Sequence, residues 1–265
     1  MQLPVVRGAR KKGADRAVAA GLCRDRDSAM NVAVEHARFA QTPLLIARPA
    51  GTCSPLPTVL WFHGFGADKE VHLPELCRLA ERGLLAVGVD AIGHGQRQFA
   101  NLAQHACRPP RETPRLFERI VNGTVAELPA LIDRLVELGL TDEERIGVAG
   151  VSMGGCIAYG AITADRRLCA AAALLGSPEW TLAELPDLAV ERFFPTALLS
   201  ITAEHDTVVP PAAARILHQK LGPRYHARPD RLCHREIAGA SHFMQPEEWA
   251  STVDLASAWL ARFLA

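Results

Sequence analysis

The chain has 265 residues, 49% of them apolar and 22% charged, a balance that builds a full core and excludes disorder as the main state. Basic and acidic residues number 29 each, so the formal net charge is zero, and no global field draws nucleic acid or an anionic membrane surface. The longest apolar runs, such as Leu84–Val89 and Ala170–Leu175, fall far short of the roughly 20 residues that cross a bilayer as a helix.

In chain order, residues 1–30 carry Arg7, Arg10, Lys11, Lys12 and Arg16 with no apolar stretch behind them. They read as a lead-in tail rather than a secretory signal. Residues 31–265 read as one domain. Asn31–Ala40 and Pro43–Ala47 suit an antiparallel pair at a sheet edge. Thr58–Phe62 is a candidate buried strand, Lys69–Arg82 a helix and Leu84–Asp90 the next strand. Leu116–Gly139 places Phe117, Val121, Val125, Leu128, Ile132, Leu135 and Leu138 on one helical face, with Pro129 expected to bend it. Arg145–Val151 is a strand, Met153–Ala164 a helix, and Leu168–Leu175 and Thr196–Ile201 are strands. Pro211–Leu221 is helical and Arg231–Ile237 is the last strand. Pro246 opens a final helix with Trp249, Val253, Ala256, Leu260 and Phe263 on its buried face. Strands alternating with helices predict an α/β fold, a doubly wound, mostly parallel sheet of about 8 strands with helices on both faces. Irregular insertions at 91–114 and 176–195 both leave strand C-terminal ends, where ligands bind such sheets.

Seven cysteines, with no C-x-x-C pair, argue against a disulfide framework and for a reducing compartment, so the expected location is cytoplasmic. His94, His105 and Cys107 lack the compact spacing of a metal site, and no cofactor is called for.

The sharpest feature is Gly150-Val151-Ser152-Met153-Gly154, a G-x-S-x-G pattern between a predicted strand and a predicted helix. Such a turn exposes the serine hydroxyl, and glycines on either side prevent clashes with the neighbouring elements. A hydroxyl at neutral pH needs a base. His242, in Ala238-Gly239-Ala240-Ser241-His242-Phe243, stands in a loop that can reach the top of the sheet. Asp206, after the Thr196–Ile201 strand, is the candidate carboxylate to orient it, with Glu204 as a competitor two residues away. The order Ser152, Asp206, His242 is the one this arrangement requires. His63-Gly64-Phe65-Gly66 follows an earlier strand, so the N–H groups of Phe65 and Met153 are candidates to hold a developing oxyanion. His63 is expected to brace that turn. His94, Trp180 and Phe193 are candidate pocket-lining residues. Arg97, Arg108 and Arg111 are candidates to draw an anionic substrate end, plain solvation being the commoner role for arginine.

These motifs together resemble the α/β-hydrolase superfamily from about Asn31 onward. H-G-F-G, D-A-I-G-H-G, G-V-S-M-G-G, E-H-D-x-x-V-P and G-x-S-H are similar to small bacterial serine carboxylesterases near the dienelactone-hydrolase and prolyl-oligopeptidase-like branch. Dienelactone hydrolases proper use a cysteine where this chain has Ser152, and no propeller domain is expected ahead of the hydrolase region. The resemblance implies a serine hydrolase carrying Ser152, Asp206 and His242 that cleaves carboxylic esters through an acyl-enzyme, and the short 176–195 insertion, with its apolar residues, favours short to medium acyl chains. A peptidase acting on small peptides, and more remotely a non-catalytic small-molecule receptor, are the alternatives. The expected partner is a small-molecule ester, with no nucleic acid and no membrane; oligomeric state is not encoded in any of these motifs.

Overall fold

The computed structural model describes residues 32–100, 102, 114–182 and 190–265. The lead-in tail therefore lies outside the described residues, as do 101, 103–113 and 183–189 within the two predicted insertions. Eight strands form one sheet in the order β1-β2-β4-β3-β5-β6-β7-β8. They are β1 Val32–Phe39, β2 Thr42–Pro49, β3 Leu56–Phe62, β4 Leu85–Val89, β5 Thr141–Val151, β6 Leu168–Leu174, β7 Ala197–Ala203 and β8 Leu232–Ile237. The edge pair β1–β2 is antiparallel, as is β2–β4, and every pairing from β4 through β8 is parallel.

Alternation along the strands sorts side chains onto two faces. Leu60 and Phe62 of β3, with Ile146 and Val148 of β5, join the layer under α2 (Pro114–Glu137) and α3 (Met153–Ala164). Val59 and Trp61, with Ala149, Ala170 and Ala172, join the layer under α1 (Leu73–Glu81) and α5 (Pro246–Leu264). A fifth helix, α4 (Ala212–Leu221), lies between β7 and β8 in sequence. Both faces are thus apolar, which is why the central strands lack the polar alternation of a half-exposed sheet.

Two element boundaries and one buried helix face depart from the sequence reading. β5 begins at Thr141, four residues before the apolar run, because Thr141 pairs with Leu56 ahead of a register shift and receives a hydrogen bond from Thr58. The predicted Lys69–Arg82 helix divides into a 3-10 turn, Lys69–His72, and α1. On α5, Val253, Ala256, Leu260 and Leu264 are fully buried, while Trp249 and Phe263 are half-buried at its two ends. Trp249 donates its indole N–H to Glu75 of α1, and Phe263 packs beside Trp259 under the guanidinium groups of Arg231 and Arg262. Among the described residues no helix is long and apolar enough to cross a membrane, and Cys77, Cys156, Cys169 and Cys233 are free thiols.

Candidate active site

Ser152 sits between β5 and α3 with φ 57° and ψ −113°. This is a backbone conformation that side-chain-bearing residues rarely adopt and that costs on the order of 1–3 kcal/mol. The strain is enforced by packing. A Cβ on Gly150 would lie 2.5 Å from the Gly154 carbonyl carbon, and one on Gly154 would run into the Phe62 carbonyl at the end of β3. Only glycine at both positions lets the turn close onto the neighbouring strand. The turn is also pinned from outside, because Ser152 donates its N–H to Leu174 O at the end of β6, 2.8 Å away.

The three residues singled out in the sequence meet at this end of the sheet. Ser152 Oγ lies 2.9 Å from His242 Nε2, and His242 Nδ1 lies 2.7 Å from Asp206 Oδ2. The carboxylate accepts only, so His242 donates from Nδ1 and keeps Nε2 as the acceptor facing the serine. Asp206 is itself fixed, since its Oδ1 accepts the N–H groups of Val208 and Val209 at 2.9 and 2.7 Å. The competitor Glu204 is engaged elsewhere: its Oε2 accepts the Gly239 N–H at 2.8 Å. Backbone bonds from Glu204 N to Ile237 O and from His205 N to Ala240 O then tie the carboxylate turn to the histidine loop.

The turn after β3 is built by two buried histidines of one tautomer. His63 donates from Nδ1 to Gly64 O and accepts the Ala91 N–H on Nε2. His94 donates from Nδ1 to Ile92 O and accepts the Gly66 N–H on Nε2. Their rings lie 5.1 Å apart. Among the described residues no protein acceptor takes the N–H of Phe65 or of Met153. The Met153 group belongs to the first turn of α3, where helix N–H groups have no intrahelical partner.

Burial holds the His63 imidazole at about 3, and the same cause lowers His94. Both stay neutral in the folded chain, while the unfolded chain binds protons below about pH 6.5. The His63 contribution is therefore complete above that pH and is lost as the pH falls from about 6.5 toward 3. For His63 this predicts a loss of about 2 kcal/mol between pH 7 and pH 5. Urea unfolding at the two pH values should show a smaller drop in His63→Asn than in the unmutated protein. Equal drops would remove His63 from the acid response.

Two predicted pocket residues are corrected by their burial. Phe193 is 0% exposed inside the core under α2 and α3, and His94 is 0% exposed with both ring nitrogens engaged; neither offers surface to a substrate. Trp180 is half-buried and meets Phe117 edge-on at 4.8 Å, and Phe117 meets Phe65 at 5.7 Å. These three rings form an aromatic wall beside the Phe65 turn. Arg97 is committed to Asp90 O and Glu127, whereas Arg108 and Arg111 lie outside the described residues.

Sequence reading missed the group that locks the two loops beside this turn together. Asp90, 0% exposed, accepts from Lys69 N and Nζ and from Gln96 N. A Cβ on Gly95 would collide with its carboxylate. A strand-terminal aspartate followed by Gly93 and Gly95 was the available signal. Nothing around Lys69 marked it as buried. Among the described residues no cluster of His, Cys, Asp and Glu is placed to hold a metal ion.

An eight-stranded, mostly parallel sheet with helices on both faces and a strained serine at the turn after a central strand defines the α/β-hydrolase fold. Within that fold the chain belongs to the dienelactone hydrolase family, whose model matches residues 43–235. It is 29% identical to YitV of Bacillus subtilis (strain 168) over 237 residues, covering 76% of this chain and 89% of that protein. It is 28% identical to the esterase YjfP of Escherichia coli (strain K12) over 151 residues, covering 57% of each. The solved structure of TT1662 from Thermus thermophilus aligns with a TM-score of 0.66 at 25% identity, covering 87% of this chain and 99% of that one.

Proposed function

We propose that the protein is a serine esterase that cleaves carboxylic esters of short to medium acyl chain through an acyl-enzyme. The observation that carries this reading is the continuous line Ser152–His242–Asp206, at 2.9 and 2.7 Å. His242 Nε2 takes the hydroxyl proton as Ser152 Oγ attacks the ester carbonyl, and Asp206 holds the tautomer and the imidazolium that forms. The uncommitted N–H groups of Phe65 and Met153 receive the oxyanion; such donors stabilise charge that appears only in the transition state. His242 then returns the proton to the departing alcohol, and water repeats the sequence to release the acid. The esterase YjfP is a relative of matching chemistry. Phe65 and Trp180, backed by the buried ring of Phe117, and Phe243, 79% exposed with its ring 5.4 Å from that of His242, supply apolar surface for a modest acyl group.

The test is hydrolysis of p-nitrophenyl esters from C2 to C12, with a fluorophosphonate as a covalent probe. Turnover should peak among the shorter chains, and the probe should label the unmutated protein but not Ser152→Ala. Absence of both turnover and labelling would remove the serine-esterase reading, and a peak at C12 would remove the chain-length assignment.

A further inference from the structure

We infer that Glu204 is a positioning residue for His242, its carboxylate holding the turn that presents the imidazole to Ser152. This role rests on the serine-esterase reading and adds a residue to it. Glu204 is exposed, and its Oε2 accepts the Gly239 N–H at 2.8 Å.

The two strands beside the site lead directly to this contact. β7 and β8 run parallel in register as far as Ala203 and Ile237. Beyond Ala203 comes Asp206, and beyond Ile237 come Gly239 and then His242. The Ala240 N–H returns to Ile237 O at 3.4 Å and closes a four-residue turn. Gly239 is its third residue, with φ 71°, a left-handed backbone that such turns reserve for glycine. The turn leaves the Gly239 N–H unused, and Glu204, at the end of the neighbouring strand, accepts it.

The inner and outer sides of this turn are held differently. On the inner side Ala240, 2% exposed, packs with Leu175 and Ala203 in a small apolar cluster that Val151 and Met244 border. The Ala240 carbonyl also accepts the His205 N–H at 2.9 Å. On the outer side Ala238, Gly239 and Ser241 are exposed. Over residues 238–241, Glu204 is the only side chain from another segment that forms a hydrogen bond, among the described residues. Asp206 does not depend on it, because its Oδ1 is already fixed by the N–H groups of Val208 and Val209. Nor does Arg215, the cation whose charge Glu204 feels, since Glu236 holds that guanidinium through both oxygens at 2.7 and 2.8 Å. Loss of the Glu204 carboxylate therefore acts on the histidine and leaves the acid in place. A misplacement of about 1 Å at a reacting group costs on the order of a hundredfold in rate. With Ala240 still anchored, the shift and its cost are smaller.

The test compares Glu204→Ala and Glu204→Gln with the unmutated protein, using p-nitrophenyl acetate turnover, fluorophosphonate labelling rates and thermal melts. Glutamine keeps a carbonyl oxygen to accept the Gly239 N–H and removes the charge. In Glu204→Ala, kcat and the labelling rate should both fall about fivefold to tenfold while KM stays within about twofold. Both rates fall because His242 assists the attack of Ser152 and the later attack of water. The melt should move by less than about 2 °C, as expected of an exposed position. Glu204→Gln should return kcat to within about twofold of the unmutated value. A Glu204→Ala protein within twofold of the unmutated kcat, or a Glu204→Gln protein as slow as Glu204→Ala, overturns the positioning role. Either result, in a protein that turns over and is labelled, leaves the esterase reading standing. An unmutated protein with neither turnover nor labelling overturns both.

Discussion

His242→Ala should lower kcat on p-nitrophenyl acetate by on the order of 10⁵ to 10⁶, the scale found when the base of a serine hydrolase is deleted. The size follows from the geometry. Nε2 of His242 is 2.9 Å from Ser152 Oγ, and without it an un-ionised hydroxyl must attack unaided. Asp206→Asn should cost less, about 10⁴, because the carboxamide can donate to Nδ1 and turn the imidazole to the wrong tautomer while the base remains in place. The two variants form an ordered pair, and steady-state kinetics with fluorophosphonate labelling rates would read it. A His242→Ala protein that retains more than a hundredth of the unmutated kcat would assign the proton transfer to another group.

Gly154→Ala should be the most damaging single-methyl change at the Ser152 turn. The added Cβ would overlap the Phe62 carbonyl, lying 2.6 Å from its carbon and 3.0 Å from the His63 oxygen. These are backbone atoms of a strand held by partners on both sides, β4 and β5, so they cannot swing aside as a side chain does. An expected loss of about 3 kcal/mol corresponds to a drop in Tm of roughly 6–12 °C for a chain of this size. The same displacement separates Ser152 from the Phe65 turn, so activity should fall with stability. Gly222→Ala is the contrasting change: a Cβ there meets nothing within 4 Å and the backbone has negative φ. Thermal melts of the pair should differ by most of that interval, and a Gly154→Ala melt within 2 °C of the unmutated protein would refute the steric account.

Where hydrophobic pattern decides local structure, the sequence was legible. TVLWF at Thr58–Phe62 and the run ending at Val151 are strands because both faces of the sheet are covered. The Ser152, Asp206 and His242 positions were legible for a related reason: each follows a strand whose end could be located. What escaped depends on contacts far apart in sequence. Thr141–Arg145 is polar by composition and joins β5 only through pairing that starts at Leu56. Lys69 is buried only because Asp90, twenty-one residues on, receives it. Phe193 and Trp180 both sit in an aromatic-rich insertion, and nothing in their order tells that one fills the core and the other borders the site. Histidine at position 94 carries the same ambiguity, since bracing and lining a pocket use the same residue type.

The sheet order has a consequence for how activity is lost. Ser152, the proposed nucleophile, hangs from β5, with three or more strands on either side, whereas His242 follows β8, an edge strand paired only to β7. Proteins open in cooperative segments, the less protected ones first. Release of β8 from its single neighbour carries His242 away while the interior of the sheet stays intact. Heat or mild denaturant should therefore silence the enzyme at a cheaper step than melting. Residual turnover reports the fraying of one margin, and the spectroscopic transition reports the collapse of the whole.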